Sequence, residues 1–115
     1  GDAAPDPRAP MLVLGPGTGL GAAAFLPAAH LAIPTEAGHI GLAPADPAGD
    51  ALVAALRARC GRAGAEEALS GRGLANLHAV LATLRGATVP ARDAAAVVAA
   101  AETCAVARAT LTTFL

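Results

Sequence analysis

Alternating glycines at residues 15–21, Gly-Pro-Gly-Thr-Gly-Leu-Gly, constrain this chain more than any other stretch. Such a run favours a tight turn, because glycine reaches backbone conformations closed to other residues and lets the main chain come close to a neighbour. The apolar residues 11–14 precede it and suit a short buried strand. Residues 22–26 and 30–33 are further short apolar stretches, broken by Pro27, and both read as strands. The expectation is a hairpin in which 22–26 runs antiparallel to 11–15, with the glycine turn exposed between them. Residues 34–44 read as a loop, and residues 1–10, GDAAPDPRAP, as a loop or ragged start.

The second half carries helix signals. Asp46-Pro47 sets an N-cap before a proline at the first helical position, where its missing N–H costs nothing. Leu52, Val53, Leu56 and Cys60 then recur on one face, and Gly61 is a natural stop. From Ser70 to Arg85 the residues Leu74, Leu77, Leu81 and Leu84 keep helical spacing, with Gly86 after the last turn. Pro90 opens another helical stretch with Asp93 near its start. Residues 91–115 predict one kinked helix, or two joined near Glu102.

Composition limits the core. Of 115 residues 34 are Ala, while Phe25 and Phe114 are the only aromatics and Met11 the only methionine. Burying a Leu or Phe contributes roughly 1.5–3 kcal/mol and an Ala much less. A core this thin favours a segment that shares its interior with further chain or with a partner. All eight basic residues are Arg and the net charge is −1, so no global basic field exists to draw nucleic acid. Cys60 and Cys104 are far apart with no Cys-x-x-Cys pattern, which predicts two incidental thiols and no disulfide. No window reaches the ~20 apolar residues of a membrane span, and the start lacks a signal-peptide layout. The expected location is cytoplasmic.

Three segments could carry chemistry. The glycine run can point N–H groups at phosphate oxygens, with the Thr18 hydroxyl as a further donor, or be an ordinary turn between strands. It is not a P-loop, since no Lys follows, and it fits the dinucleotide fingerprint only loosely. Glu36 and His39, three apart, could ligate a metal on a helix, but Pro34 and Gly38 argue for an irregular loop. In a loop the pair is equipped for sugar hydroxyls, or is a surface acid beside an unrelated imidazole. Glu66 and Glu67, before an apolar pair and Ser70-Gly71, read by spacing alone as a solvated helix start. His78 reads as a partly buried packing residue.

Taken together and in this order, the three segments resemble the bacterial glucokinase family, within the superfamily of actin-like ATPases and sugar kinases. That family's pattern runs from a leucine-rich strand to GPGTGLG, then to an E-G-G-H loop followed by Ala-Pro, then to E-x-x-L-S-G-x-G-L-x-N-L. Here residues 14–21, Glu36 to His39 with Ala43-Pro44, and residues 66–77 (EEALSGRGLANL) correspond, and the similarity covers residues 11–115. The resemblance implies an α/β (α+β) fold. It would form part of the large lobe of an actin-like sugar kinase, with short strands around a glycine phosphate turn followed by about four helices. Residues 1–10 would stand outside it. It implies that Gly15, Gly17, Thr18 and Gly19 approach the phosphates of ATP. Glu36, His39 and Glu66 would bind glucose, and Glu67 would not.

The implied reaction is ATP-dependent phosphorylation of glucose to glucose 6-phosphate, with Mg2+ required. Ala37 departs from the family's usual glycine, and Gly41 from a residue that is often Asp. The first phosphate loop, the segment with the catalytic Asp and the adenosine-binding glycines have no match. The chain alone is therefore expected to be inactive. Its partners would be glucose and the missing remainder of a kinase chain or a homo-oligomeric copy, with no nucleic acid and no membrane. Two rivals stand beside this reading. One is a non-catalytic sugar-binding or regulatory relative that keeps the hexose loop; the lack of a Cys/His zinc cluster weighs against its repressor–kinase branch. The other is a dinucleotide-binding dehydrogenase fragment, which requires a helix directly after Gly21.

Overall fold

A computed structural model describes residues 6–115. Of the expected loop at residues 1–10, positions 1–5 lie outside the described residues. Residues 6–10 form a turn in which the Ala9 amide donates to the Asp6 carbonyl at 3.0 Å.

The sheet follows. Strand β1 (Met11–Pro16) leads through the glycine turn into β2 (Leu20–Leu26), antiparallel, with Met11 opposite Phe25 and Gly15 opposite Gly21. A 3-10 turn, Pro27–Ala29, ends at His30, whose φ of 47° reverses the chain into β3 (Leu31–Thr35). The sheet order is β1-β2-β3, with Ala22 opposite Thr35. The third strand therefore runs two residues into the stretch expected to be loop. Pro34 is tolerated there because β3 is an edge strand, where a missing N–H breaks no ladder bond.

One expectation is corrected. Residues 11–14 are not buried: Leu12 is 65% exposed and Leu14 57%. The helices lie beside the sheet and not over it, and the described chain is long, 52 × 29 × 26 Å. Sheet and helices meet chiefly through a second 3-10 turn, Ala37–His39, and among the described residues Met11 to Leu14 of β1 stay largely uncovered.

Helix α1 (Pro47–Cys60) begins where predicted, with Asp46 Oδ1 accepting the Gly49 amide at 2.7 Å, and ends at Gly61 with φ 80°. After a short α2 (Ala65–Ala68) comes α3 (Gly71–Leu84), capped by Ser70, whose Oγ accepts the Gly73 amide. Helices α4 (Ala94–Ala100) and α5 (Ala105–Phe114) are separate and bend by 116° across residues 101–104, near Glu102. Among the described residues five α-helices thus stand where about four were expected. Pro90 does not open α4. The helix starts after Asp93, whose carboxylate accepts the Ala96 amide and satisfies a donor that otherwise has no partner.

The core lies between α1 and α3 around Leu56, Leu77 and Val80, with a second cluster of Leu74, Val97 and Ala107; Phe114 packs on both. His78 was expected to be partly buried. It is 1% exposed, enclosed beside the second cluster. Both cysteines are free thiols. Among the described residues no single helix is long and apolar enough to cross a membrane.

Candidate functional site

Glu66 sits where the glycine turn and the Glu36–His39 loop meet. It lies in α2, and its backbone carbonyl accepts the Ser70 hydroxyl at 2.8 Å, so the cap of α3 also fixes the acid four residues before it. Its Oε2 accepts the Leu20 amide, at the start of β2, at 3.1 Å. Its Oε1 accepts Arg72 Nη2 at 2.6 Å, and Arg62 Nη2 stands 3.8 Å away. Only 14% of this side chain is exposed. The Leu20 amide, then Arg72, His39 and Arg62, hold the carboxyl below its ordinary value against the opposing effect of burial.

His39 reaches the same group. Its Nε2 lies 3.9 Å from Glu66 Oε2, and its Nδ1 lies 3.6 Å from Glu36 Oε2. Glu36, His39 and Glu66 are thus brought together, with the Glu36 side chain 89% exposed. The 3-10 turn that presents His39 is pressed against β2, where a methyl on Gly38 would collide with the Leu20 carbonyl. Ala37 fits without distortion: its amide donates to Thr35 Oγ1 and its carbonyl accepts the Ile40 amide. Gly41 pairs with Gly64 in a lone bridge that ties this loop to the start of α2.

The glycine turn is fastened from two sides. Within it the Gly17 amide donates to the Gly19 carbonyl, and outside it the Gly71 amide donates to the Gly17 carbonyl at 2.7 Å. A methyl on Gly19 would stand 2.5 Å from Glu66 Oε2, so only glycine leaves that carboxylate where it is. Among the described residues the Thr18 hydroxyl, and the amides of Thr18 and Gly19, have no hydrogen-bond partner.

Glu67 belongs to a different arrangement. It is buried, accepts the Gly64 amide at 2.9 Å and receives Arg62 Nε at 2.7 Å, which closes the first turn of α2. Reading the sequence missed Leu20 and Arg72. Leu20 contributes only its backbone, which no side-chain pattern announces, while Arg72 could have been found by its place in the first turn of the helix that Ser70 caps, six residues beyond Glu66.

The strand that follows Gly21 removes the dehydrogenase rival, which needed a helix there. The glycine turn of the hairpin rests on a helix start, beside an acid–imidazole cluster. The solved structure of a glucokinase from an Antarctic psychrotroph superposes with a TM-score of 0.90 at 34% identity, over 97% of this chain and 36% of that one. The glucokinase of Balamuthia mandrillaris, solved in complex with glucose, shares the fold with a TM-score of 0.82 at 24% identity over 97% of this chain and 34% of that one. The family model described as Glucokinase matches residues 1–115, and the chain belongs to the glucokinase family. The curated glucokinase of Marinobacter nauticus is 44% identical over 87 residues, which is 74% of this chain and 27% of that protein. That of Zymomonas mobilis is 45% identical over 76 residues, 64% of this chain and 24% of that one. The chain thus spans about a quarter of the length of these curated relatives.

Proposed function

We propose that this segment supplies the hexose loop and the phosphate turn of an intact glucokinase, which transfers the γ-phosphoryl of ATP to glucose, giving glucose 6-phosphate and ADP. One observation carries the reading: the Glu66 carboxylate faces His39 on one side and takes the Leu20 amide of the glycine hairpin on the other. Acceptor and phosphoryl donor would then lie at the two ends of one hydrogen bond, as transfer between positioned partners requires.

Glu36 and Glu66 accept from sugar hydroxyls in this reading, and His39 accepts or donates. Gly15, Gly17, Thr18 and Gly19 form the turn that approaches the phosphates, with the free Thr18 hydroxyl and the Thr18 and Gly19 amides as donors. Magnesium is implied by the family. Among the described residues no three His, Cys, Asp or Glu side chains could hold a metal ion, and Glu66 and Glu67 are engaged with amides and arginines. The residues of this segment do not fit it as ligands. Residues 11–115 would form part of the large lobe of a cytoplasmic enzyme, and the remainder of the kinase chain or a homo-oligomeric copy would complete the site.

The test is a coupled assay on an intact enzyme carrying this segment. Glu36→Gln and Glu66→Gln are expected to raise KM for glucose by roughly tenfold or more, the loss of a hydrogen bond to a charged group. Glu67→Gln is expected to act on stability and far less on KM. Equal kinetic effects at Glu66 and Glu67 would sink the reading.

A further inference from the structure

A cavity of about 420 Å³ lies between α3, the C-terminal part of α1 and segment 87–92, and none of Glu36, His39, Glu66 or the glycine turn lines it. Its volume falls within the range of small-molecule sites, roughly 300–1,000 Å³. Ala75 and Ala79 of α3 leave the space, and the polar wall carries Arg59, Arg92, His78 and Thr88 with no carboxylate.

Arg92 is the informative residue. It is partly buried, with Nη1 3.3 Å from His78 Nε2 and 3.8 Å from Cys104 Sγ. Burial and the neighbouring guanidinium both push His78 toward its neutral form, so its Nε2 accepts and Arg92 donates. The imidazole orients the guanidinium without balancing its charge. Among the described residues neither Arg92 nor Arg59 forms an ion pair with a carboxylate, although Arg8, Arg62 and Arg72 all do. The guanidinium of Arg92, taken partly out of water without a counter-charge, is costly, and with the exposed Arg59 on the same cavity it matches a doubly charged, multi-acceptor anion better than a single carboxylate.

We propose that this cavity binds a small phosphomonoester, its phosphate on Arg92 and Arg59 with the Thr88 hydroxyl as a further donor, and its carbon body against the alanines of α3. The site is independent of the reading given for Glu66. The test is NMR of the arginine side-chain N–H groups in the 115-residue protein, titrated with ethyl phosphate, inorganic phosphate, and acetate at matched ionic strength. Ethyl phosphate is expected to saturate the Arg92 and Arg59 signals and to bind more tightly than inorganic phosphate. Arg92→Met and Arg59→Gln should each weaken binding by about tenfold, the share of one charge-assisted donor. Arg59 is exposed, so its variant decides the matter if Arg92→Met fails to fold. No saturation, an equal response to acetate, inorganic phosphate binding as tightly as the ester, or undiminished binding in folded Arg59→Gln would each overturn the proposal.

Discussion

The Gly71 amide donates to the Gly17 carbonyl at 2.7 Å, so the first turn of α3 grips the apex of the glycine turn 54 positions earlier in the chain. Helix starts leave amides without intrahelical partners, and here one of them fastens a loop. The residue just before it, Ser70, is wholly buried, accepts the Gly73 amide and donates to the Glu66 carbonyl. A few residues thus set both the turn and the acid beside it.

Ser70→Ala should destabilise the chain by about 1 kcal/mol, the usual effect of losing a helix N-cap. Urea denaturation reads this directly. A midpoint equal to that of the parent would mean that the cap contributes nothing.

Gly19→Ala should lower stability by about 1–3 kcal/mol, because the new methyl meets the Glu66 carboxylate and one of them must shift. Gly15→Ala is the control, since a methyl there meets nothing within 4 Å. Comparable midpoints for the two variants would show that Glu66 yields freely.

Acid should weaken the chain through Glu66. Its carboxyl is held below the ordinary 4.5 chiefly by the Leu20 amide, so the folded state prefers the ionised form. The stabilisation is fully present above pH 4.5 and is lost as pH falls from there through the lower folded-state value. Urea midpoints between pH 7 and pH 3 should drop across that window, with a smaller drop in Glu66→Gln. Parallel profiles for the two proteins would contradict the assignment.

The 115-residue chain by itself should not phosphorylate glucose measurably. No residue in it matches the family's catalytic Asp segment, and phosphoryl transfer rests on positioning that the rest of an intact enzyme would supply. A coupled assay on chain verified by mass checks this, and turnover at roughly 1–100 per second would refute it.

Helix ends were the most legible part of the sequence. Asp46-Pro47, Gly61, Ser70 and the residues near Glu102 mark boundaries because caps and stops are local chemistry, decided by one or two side chains. Pro90 misled because it can begin a helix, yet Asp93 supplies the better first cap. The burial of residues 11–14 was misjudged for a different reason: apolar content says that a strand wants covering, not that this stretch of chain covers it. The meeting of Glu36, His39 and Glu66 could be anticipated from motif order. The Leu20–Glu66 hydrogen bond could not, since every residue but proline offers the same amide.

That bond has a thermodynamic corollary on the proposed reading. Glu66 Oε2 is one acceptor claimed by two neighbours, the hairpin amide and the sugar side that His39 faces. A hydroxyl drawing on that oxygen changes how firmly the hairpin is clamped, and a ligand on the hairpin changes how available the oxygen is. Such linkage is reciprocal. The factor by which glucose alters nucleotide affinity must equal the factor by which nucleotide alters glucose affinity, with a single oxygen atom as the currency of exchange between the two substrates.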